Sequence, residues 1–204
     1  MKTIIAAHAS LLAAVLVTFA LPLGDARAGD LPLVFNGEDL SGWKVPKDNI
    51  WWKAENGILS VRSGPGRQGS TLWTQRQYRN FVMEFEFRFG QGTVDSGIFV
   101  RDSHEQIQIG ISGSLKRDMT ASPYIAGEGY PVEAKGVSGC LRQDEWNRMT
   151  IVAIDHNYSV WLNGKHVLSY DSATAAEQGP VGIQLHGKRD MAIDYRKIAL
   201  AELN

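Results

Sequence analysis

Short stretches of the chain alternate apolar and polar residues, and this period of two predicts β-strands. The clearest stretch runs from Phe81 to Phe89, where every second residue is apolar and faces one way. Residues 105–109 and 181–185 repeat the pattern, and Asn163-Gly164 joins two further strands. Asn-Gly is the preferred pair for a type I′ hairpin. Many short strands joined by tight turns predict an all-β sandwich or barrel.

The same alternation divides the strand residues between the core and the outer faces. Six aliphatic residues are expected in the core: Ile98, Val100, Ile107, Ile109, Ile183 and Leu185. Their neighbours are expected to share one concave outer face: Phe99, Arg101, Gln106, Gln108, Gln184 and His186. On the strand at 81–89 the outward residues are Glu84 and Glu86. Such polar groups suit sugar hydroxyls, although a merely solvated strand face shows the same pattern.

The N-terminus has the pattern of a secretory signal peptide. Lys2 supplies a positive charge, Leu11 to Leu23 is almost wholly apolar, and Ala26-Arg27-Ala28 is a small-x-small cleavage site. We therefore expect residues 1–28 to be removed, leaving a periplasmic or secreted protein without stable membrane association. An uncleaved anchor is the alternative, because residues 4–23 are nearly long enough to span a bilayer.

Residues 29–204 are expected to form one domain, because no linker, repeat or charge block divides them. The segment 112–138 is rich in Gly, Ser and Pro and has no strand alternation. It is too long for a plain connection, and long irregular loops in compact domains are usually functional. A disordered insertion is the alternative.

Composition narrows the class of ligand. Lys and Arg number 21 against 22 Asp and Glu, and this balance argues against a nucleic-acid partner. The single cysteine, Cys140, rules out an internal disulfide and a cysteine-cluster metal site. Six tryptophans suit a carbohydrate partner, since aromatic rings stack on sugar faces, but core packing accounts for most of them. They are Trp43, Trp51, Trp52, Trp73, Trp146 and Trp161.

Several blocks of the chain follow one family pattern in order. They include Leu-Val-Phe-Asn-Gly-Glu-Asp-Leu-Ser-Gly-Trp at 33–43, Asp-Ser-Gly-Ile-Phe-Val-Arg at 95–101 and Gly-Ile-Gln-Leu-His-Gly at 182–187. In these blocks the chain resembles the 3-keto-disaccharide hydrolase family. The resemblance implies a concanavalin-A-like jelly-roll sandwich of two antiparallel sheets, one of them concave. It also implies cleavage of glycosides whose sugar has been oxidised to a ketone at C3.

Two positions depart from the family pattern. Gln106 stands where the family usually has a glutamate, and Asp95 replaces its asparagine. A non-catalytic, lectin-like carbohydrate-binding module therefore remains an alternative to the enzyme, and a structural or interaction sandwich is a third.

Cleavage of a 3-keto-glycoside needs a base for the acidic C2 hydrogen and donors for the resulting enolate oxygen. His186 is the candidate base, because histidine titrates near neutral pH, and Arg101 is the candidate enolate donor. The candidate substrate-binding residues are Gln106, Gln108, Gln184, Glu86 and Phe99.

No cofactor is evident from the sequence, and no metal-spacing motif occurs. A divalent metal on His186 and a carboxylate such as Glu86 is an alternative means of stabilising the enolate. An ordinary two-carboxylate glycosidase would use acids alternating on one strand. Glu84 and Glu86 have that spacing, but Arg88 occupies the next outward position.

Overall fold

Thirteen β-strands form the computed structural model, which describes residues 31–203. The strands are β1 (Trp43–Lys44), β2 (Trp52–Glu55), β3 (Ile58–Arg62), β4 (Ser70–Thr74), β5 (Phe81–Gly92), β6 (Asp95–Phe99), β7 (Glu105–Gly110), β8 (Pro123–Ile125), β9 (Asn147–Ile154), β10 (Asn157–Leu162), β11 (Lys165–Asp171), β12 (Gly182–Leu185) and β13 (Met191–Glu202). The expected signal peptide lies outside the described residues. Within 31–203, no helix has the length and apolar character needed to cross a bilayer.

The strands form two antiparallel sheets. The front sheet has the order β1-β4-β12-β6-β7-β8, and the back sheet has the order β11-β10-β9-β5-β13-β3-β2. Strands that are distant in sequence are neighbours in both sheets, as in a jelly roll. The expected fold class, an all-β sandwich of two antiparallel sheets, is confirmed.

The core lies between the inner faces of the two sheets. All six aliphatic residues expected there are at most 1% exposed. The back sheet contributes alternate residues of β5, among them Phe81, Phe85 and Phe87, which are also at most 1% exposed. Burying each such side chain stabilises the fold by about 1.5–3 kcal/mol, so the period of two in the sequence has a direct energetic cause.

The expected hairpin turns are present. Asn163 and Gly164 have φ angles of 50° and 81°, the positive pair that a type I′ turn requires. Asn56 and Gly57, between β2 and β3, have 52° and 78°.

The segment 112–138 differs from the expected irregular loop, since it contains a short strand. Strand β8 pairs with β7, placing Tyr124 opposite Gln106. A strand of only three residues is too short for alternation to appear in the sequence. The segment thereby extends the front sheet and lies beside the strands that carry the candidate residues.

Candidate active site

Two rows of side chains cross the outer face of the front sheet. One row contains Thr71, Gln184, Gly97 and Gln108, which pair in that order across β4, β12, β6 and β7. The second contains Trp73, Gly182, Phe99, Gln106 and Tyr124. Directly opposed residues have Cβ atoms about 4.5–5.5 Å apart, so the amides of the two rows converge.

A cavity of about 450 Å³ opens over these rows, and we call it the site cavity. Four of the expected site residues line it: Gln106, Gln108, Gln184 and His186. Further lining residues were not expected from the sequence: Asp95, Lys116, Tyr124, Tyr130, Lys188 and Arg189. The cavity has the size of a small-molecule site.

A chain of hydrogen bonds orients the amides along one wall. Gln106 Nε2 donates to Gln108 Oε1 at 2.8 Å, and Gln108 Nε2 donates to Asp95 Oδ1 at 3.0 Å. The Asp95 carboxylate can only accept when ionised, so Gln108 must present its nitrogen to it. This fixes both amides and leaves Gln106 Oε1 as a free acceptor.

Three buried acceptor oxygens in the site cavity have no hydrogen-bond donor among the described residues. They are Asp95 Oδ2, Gln106 Oε1 and Gln184 Oε1. A buried polar atom without a partner costs free energy. Three such atoms around one cavity therefore match a ligand that brings several hydroxyl donors.

His186 lies at the rim, with 45% of its side chain exposed. Its Nδ1 lies 2.7 Å from the backbone oxygen of Gly187. A carbonyl can only accept, so Nδ1 carries the hydrogen and the neutral ring keeps its lone pair on Nε2. Asp95 Oδ2 lies 4.0 Å from the same Nδ1.

Cationic and neutral donors surround the remaining wall. Arg189 Nε lies 3.4 Å from Asp95 Oδ2. The rings of Tyr124 and Tyr130 meet edge to face, with centroids 5.2 Å apart. Burial raises the pKa of Tyr130 to about 12 against a smaller opposing effect of its hydrogen bond with Ser112. The Tyr130 phenol therefore stays protonated at neutral pH and can donate.

Arg101 does not reach the site cavity, and its expected placement has to be corrected. It is 1% exposed, and its guanidinium donates to the backbone oxygens of Arg79, Asp155 and Ala176 at 2.6, 2.6 and 3.0 Å. Strand β6 ends at Phe99, and Arg101 has a left-handed φ of 68°. The alternation therefore stops before Arg101, whose side chain turns away to hold three loops together.

Glu86 is also absent from the site cavity. It points outward from β5 in the back sheet, where Arg196 Nε and Lys197 Nζ bind its carboxylate. Its neighbour Glu84 is bound by Arg148. Glu86 and His186 thus lie on opposite faces of the sandwich, which corrects both the expected contact and the suggested metal pair.

Phe99 lies on the outer face of the front sheet, but it is only 9% exposed and packs against Trp73 instead of lining the site cavity. Among residues 31–203, no group of three or more His, Cys, Asp or Glu residues is arranged to hold a metal ion.

Asp95 could have been found from the sequence, because the alternation through Phe99 and Gly97 continues back to it. Arg189, Lys116 and Tyr130 lie outside the strands, where no periodic signal exists.

Comparison with known proteins gives one family and one fold. The model of the 3-keto-alpha-glucoside-1,2-lyase-like domain matches residues 32–201, which confirms the resemblance found in the sequence. No curated protein matches the chain.

Several solved structures share the sandwich. A proposed glycosyl hydrolase from Parabacteroides distasonis is 18% identical, with a TM-score of 0.64 over 84% of this chain and 93% of its own. The carbohydrate recognition domain of Emp47p is 18% identical, with a TM-score of 0.55 over 84% and 94%. The carbohydrate-binding module CBM66 of Bacillus subtilis is 12% identical, with a TM-score of 0.53 over 84% and 100%. At these identities the likeness shows the fold alone.

Proposed function

The chain belongs to the 3-keto-alpha-glucoside-1,2-lyase-like family, and from this membership we propose that it cleaves glycosides whose sugar carries a ketone at C3. The family indicates a glycoside-related function, and the site cavity supplies groups for the chemistry that the ketone makes accessible. A C3 ketone acidifies the hydrogen on C2, so a neutral imidazole becomes a sufficient base.

One observation carries this proposal: a histidine with a free Nε2 shares a cavity with three buried acceptors that have no donors. The acceptors Asp95 Oδ2, Gln106 Oε1 and Gln184 Oε1 match the hydroxyl groups of a sugar. His186 lines the same cavity at its rim, with 45% of its side chain exposed.

The first step is proton transfer from C2 to His186 Nε2. The C–H electron pair then forms the C2–C3 double bond, and the ketone oxygen becomes an enolate. Arg189 and Lys116 supply positive charge in the cavity, and the neutral Tyr130 supplies an O–H donor. Such fixed donors stabilise developing negative charge, and Arg189 takes the role expected of Arg101.

The second step breaks the bond between C1 and the leaving oxygen. The enolate electrons form the C1–C2 double bond, the C3 ketone returns, and the leaving oxygen takes up the proton from His186. The carboxylate of Asp95, 4.0 Å from Nδ1, stabilises the imidazolium between the steps. Release of the unsaturated sugar completes a lyase reaction, and addition of water across the double bond completes a hydrolysis.

The amide at Gln106 is compatible with this chemistry. Its nitrogen is held by Gln108, so it presents only an acceptor oxygen to the ligand. The negative charge of the site is supplied by Asp95, at the other end of the same hydrogen-bond chain.

A lectin-like module is the second candidate, and the same unpaired acceptors support it, because they would bind sugar hydroxyls without any reaction. The decisive experiment incubates the purified protein with a 3-keto-disaccharide and with the unoxidised parent, and measures the released sugar. Release of sugar from the 3-keto-disaccharide, but not from the unoxidised parent, supports the enzyme.

The base is tested by His186→Ala, for which we expect a loss of about two to four orders of magnitude in turnover. His166→Ala, exposed on β11 of the back sheet, is the matched control and should be unaffected. Full turnover by His186→Ala, or equal cleavage of the parent sugar, would contradict the proposed mechanism.

A further inference from the structure

One tryptophan stands apart from the other five. Trp73 is half-buried on β4, on the same outer face as Gln184 and Phe99. Three of the remaining tryptophans belong to the core or pack against it: Trp43 and Trp52 are at most 4% exposed, and Trp51 packs on the core. The other two lie on the back-sheet side, where Trp146 lies under Arg88 and Arg196, and Trp161 adjoins His166. Core packing therefore accounts for Trp43, Trp51 and Trp52, but not for the position of Trp73.

A glycine on the next strand allows the Trp73 ring to lie low on the sheet. A Cβ on Gly182 would stand 2.6 Å from Cε3 of Trp73 and 2.7 Å from its Cζ3. Phe99, on the far side of Gly182, stacks against the Trp73 ring, with ring centroids 5.3 Å apart and ring planes inclined by 21°. The two rings thus stack on each other, with Phe99 only 9% exposed and Trp73 half-buried, and we call this pair the aromatic platform.

The aromatic platform borders the site cavity. Gly182 and Gln184 are two residues apart on the same face of β12, a separation of about 7 Å. Phe99 lies directly opposite Gln106. The two amides that keep unpaired oxygens, Gln184 and Gln106, therefore stand between the cavity and the platform.

The distance from the platform to the candidate base sets the size of ligand that can use both. His186 follows Gly182 by four residues, a separation of about 13 Å along an extended chain. One sugar ring cannot contact both ends, whereas two linked rings can. The residues between the ends are uncharged amides and a glycine, which suit a neutral polyhydroxyl ligand.

We propose that Trp73, with Phe99 stacked against it, forms a subsite for the second sugar ring of a disaccharide, the ring that departs when the glycosidic bond breaks. The inference rests on the proposed function, since it places the oxidised ring in the site cavity. The apolar C–H face of the leaving sugar packs on Trp73, where it buries apolar surface. Its edge hydroxyls face the unpaired oxygens of Gln184 and Gln106.

The test compares two substrates that differ only beyond the glycosidic oxygen, a 3-keto-disaccharide and the corresponding methyl 3-keto-glucoside. Trp73→Ala should raise KM for the disaccharide about tenfold, the effect of losing about 50 Å² of apolar contact. Its kcat should change little, because the contact is equal in ground and transition states. The methyl glycoside does not reach the platform and should keep its KM.

Two further variants serve as controls. Trp73→Phe keeps an aromatic face and should recover most of the disaccharide affinity. Trp161→Ala removes a half-buried tryptophan from the back sheet and should affect neither substrate. Thermal unfolding of each variant checks that the fold is intact. An equal change in KM for both substrates, or no change for either, would overturn the subsite while leaving the proposed function in place.

If the proposed function is wrong, the result is different: the wild type turns over neither the 3-keto-disaccharide nor the methyl 3-keto-glucoside. Calorimetric titration of the wild type with the unoxidised disaccharide and with methyl glucoside then decides the subsite. The subsite is supported if the disaccharide binds more tightly than methyl glucoside and if Trp73→Ala removes this difference. Equal affinities for the two ligands, or no binding of either, would overturn the subsite.

Discussion

The side chain of Gln106 lies directly over Gly97: a Cβ on Gly97 would stand 3.0 Å from Gln106 Cδ. The same atom would stand 2.9 Å from the backbone oxygen of Ile107. Gly97 pairs with Gln184 on one side and Gln108 on the other, so the absence of its side chain creates the space in which three amides meet.

Gly97→Ala should therefore displace Gln106 and break its hydrogen bond to Gln108. We expect a cost of about 1–3 kcal/mol in the free energy of unfolding, typical of an overpacked site. Turnover of a 3-keto-glycoside should fall at least about tenfold, since the acceptor at Gln106 moves. Chemical denaturation and steady-state kinetics measure the two effects.

Gly139→Ala is the control, because no atom of residues 31–203 lies within 4 Å of its Cβ position. It should change the unfolding free energy by less than about 0.5 kcal/mol. A Gly97→Ala protein with normal stability and turnover would show that the crowding at Gly97 is relieved without moving Gln106.

Alternation in the sequence predicts which strand residues face the core, but not which sheet carries a strand. Period two predicts that Gln106, Gln108 and Gln184 face outward, and their strands pair within the front sheet. The same alternation predicts that Glu86 faces outward, yet β5 belongs to the back sheet. Sheet membership depends on pairing between distant strands, which no local pattern records.

Arg101 shows a second limit of the sequence pattern, which does not indicate where a strand ends. The apolar–polar pattern continues two residues past Phe99 in the sequence, but the strand ends at Phe99 and the backbone of Arg101 is left-handed. Trp73 shows a third, since β4 has too few alternating residues to be recognised. Loop residues such as Arg189 reach the site only through the tertiary fold.

The buried guanidinium of Arg101 predicts a stability effect where the sequence alone suggested a catalytic one. Lysine carries a point charge and cannot reproduce the fork that contacts three backbone oxygens. Arg101→Lys should therefore lower the unfolding free energy by about 2–4 kcal/mol, with turnover per folded molecule nearly unchanged. Urea denaturation beside active-site kinetics separates the two quantities.

The exposed Arg142→Lys serves as the reference substitution for Arg101→Lys and should be neutral. A large loss of turnover in Arg101→Lys, without a loss of stability, would show that Arg101 takes part in the reaction.

The back sheet carries an acid-sensitive ion pair network centred on Asp194. Burial alone would raise the pKa of this carboxyl, but hydrogen bonds from Arg62, Ser60 and Arg88 outweigh burial and hold it below its usual range. A lowered pKa in the folded state contributes stability above the unfolded pKa of about 3.9, and this stability is lost as pH falls through the folded value.

Asp194→Asn should therefore be less stable than the wild type at pH 7 by about 1–2 kcal/mol. The difference should shrink as the pH is lowered below about 4. Unfolding midpoints measured from pH 7 to pH 2.5 test this, and a constant difference across that range would contradict it.

Export is predicted by the N-terminal pattern. Cleavage after Ala28 would give a mature protein that begins at Gly29. Mass spectrometry of the protein from the periplasm or medium should find this terminus within one or two residues. A membrane-bound protein that retains Met1 would instead support the anchor.

Asp95 links the amide chain to the candidate base, and its charge can be removed with little change in shape. In Asp95→Asn, the side-chain oxygen can still accept from Gln108, so the amide chain and the fold should persist. The group nearest His186 and Arg189 then becomes an uncharged amide. If His186 accepts a proton during the reaction, the imidazolium loses its stabilising carboxylate, and kcat should fall by about one to three orders of magnitude.

The KM of Asp95→Asn distinguishes a catalytic contribution from a binding one. A loss confined to kcat means that the charge acts in the transition state, as the mechanism requires, whereas a rise in KM alone means that Asp95 only holds a hydroxyl. Asp171→Asn, exposed at the end of β11, makes the same chemical change far from the site and should alter neither constant. Since a pure binding module would lose affinity without any turnover to lose, this one substitution also separates the enzyme from the lectin.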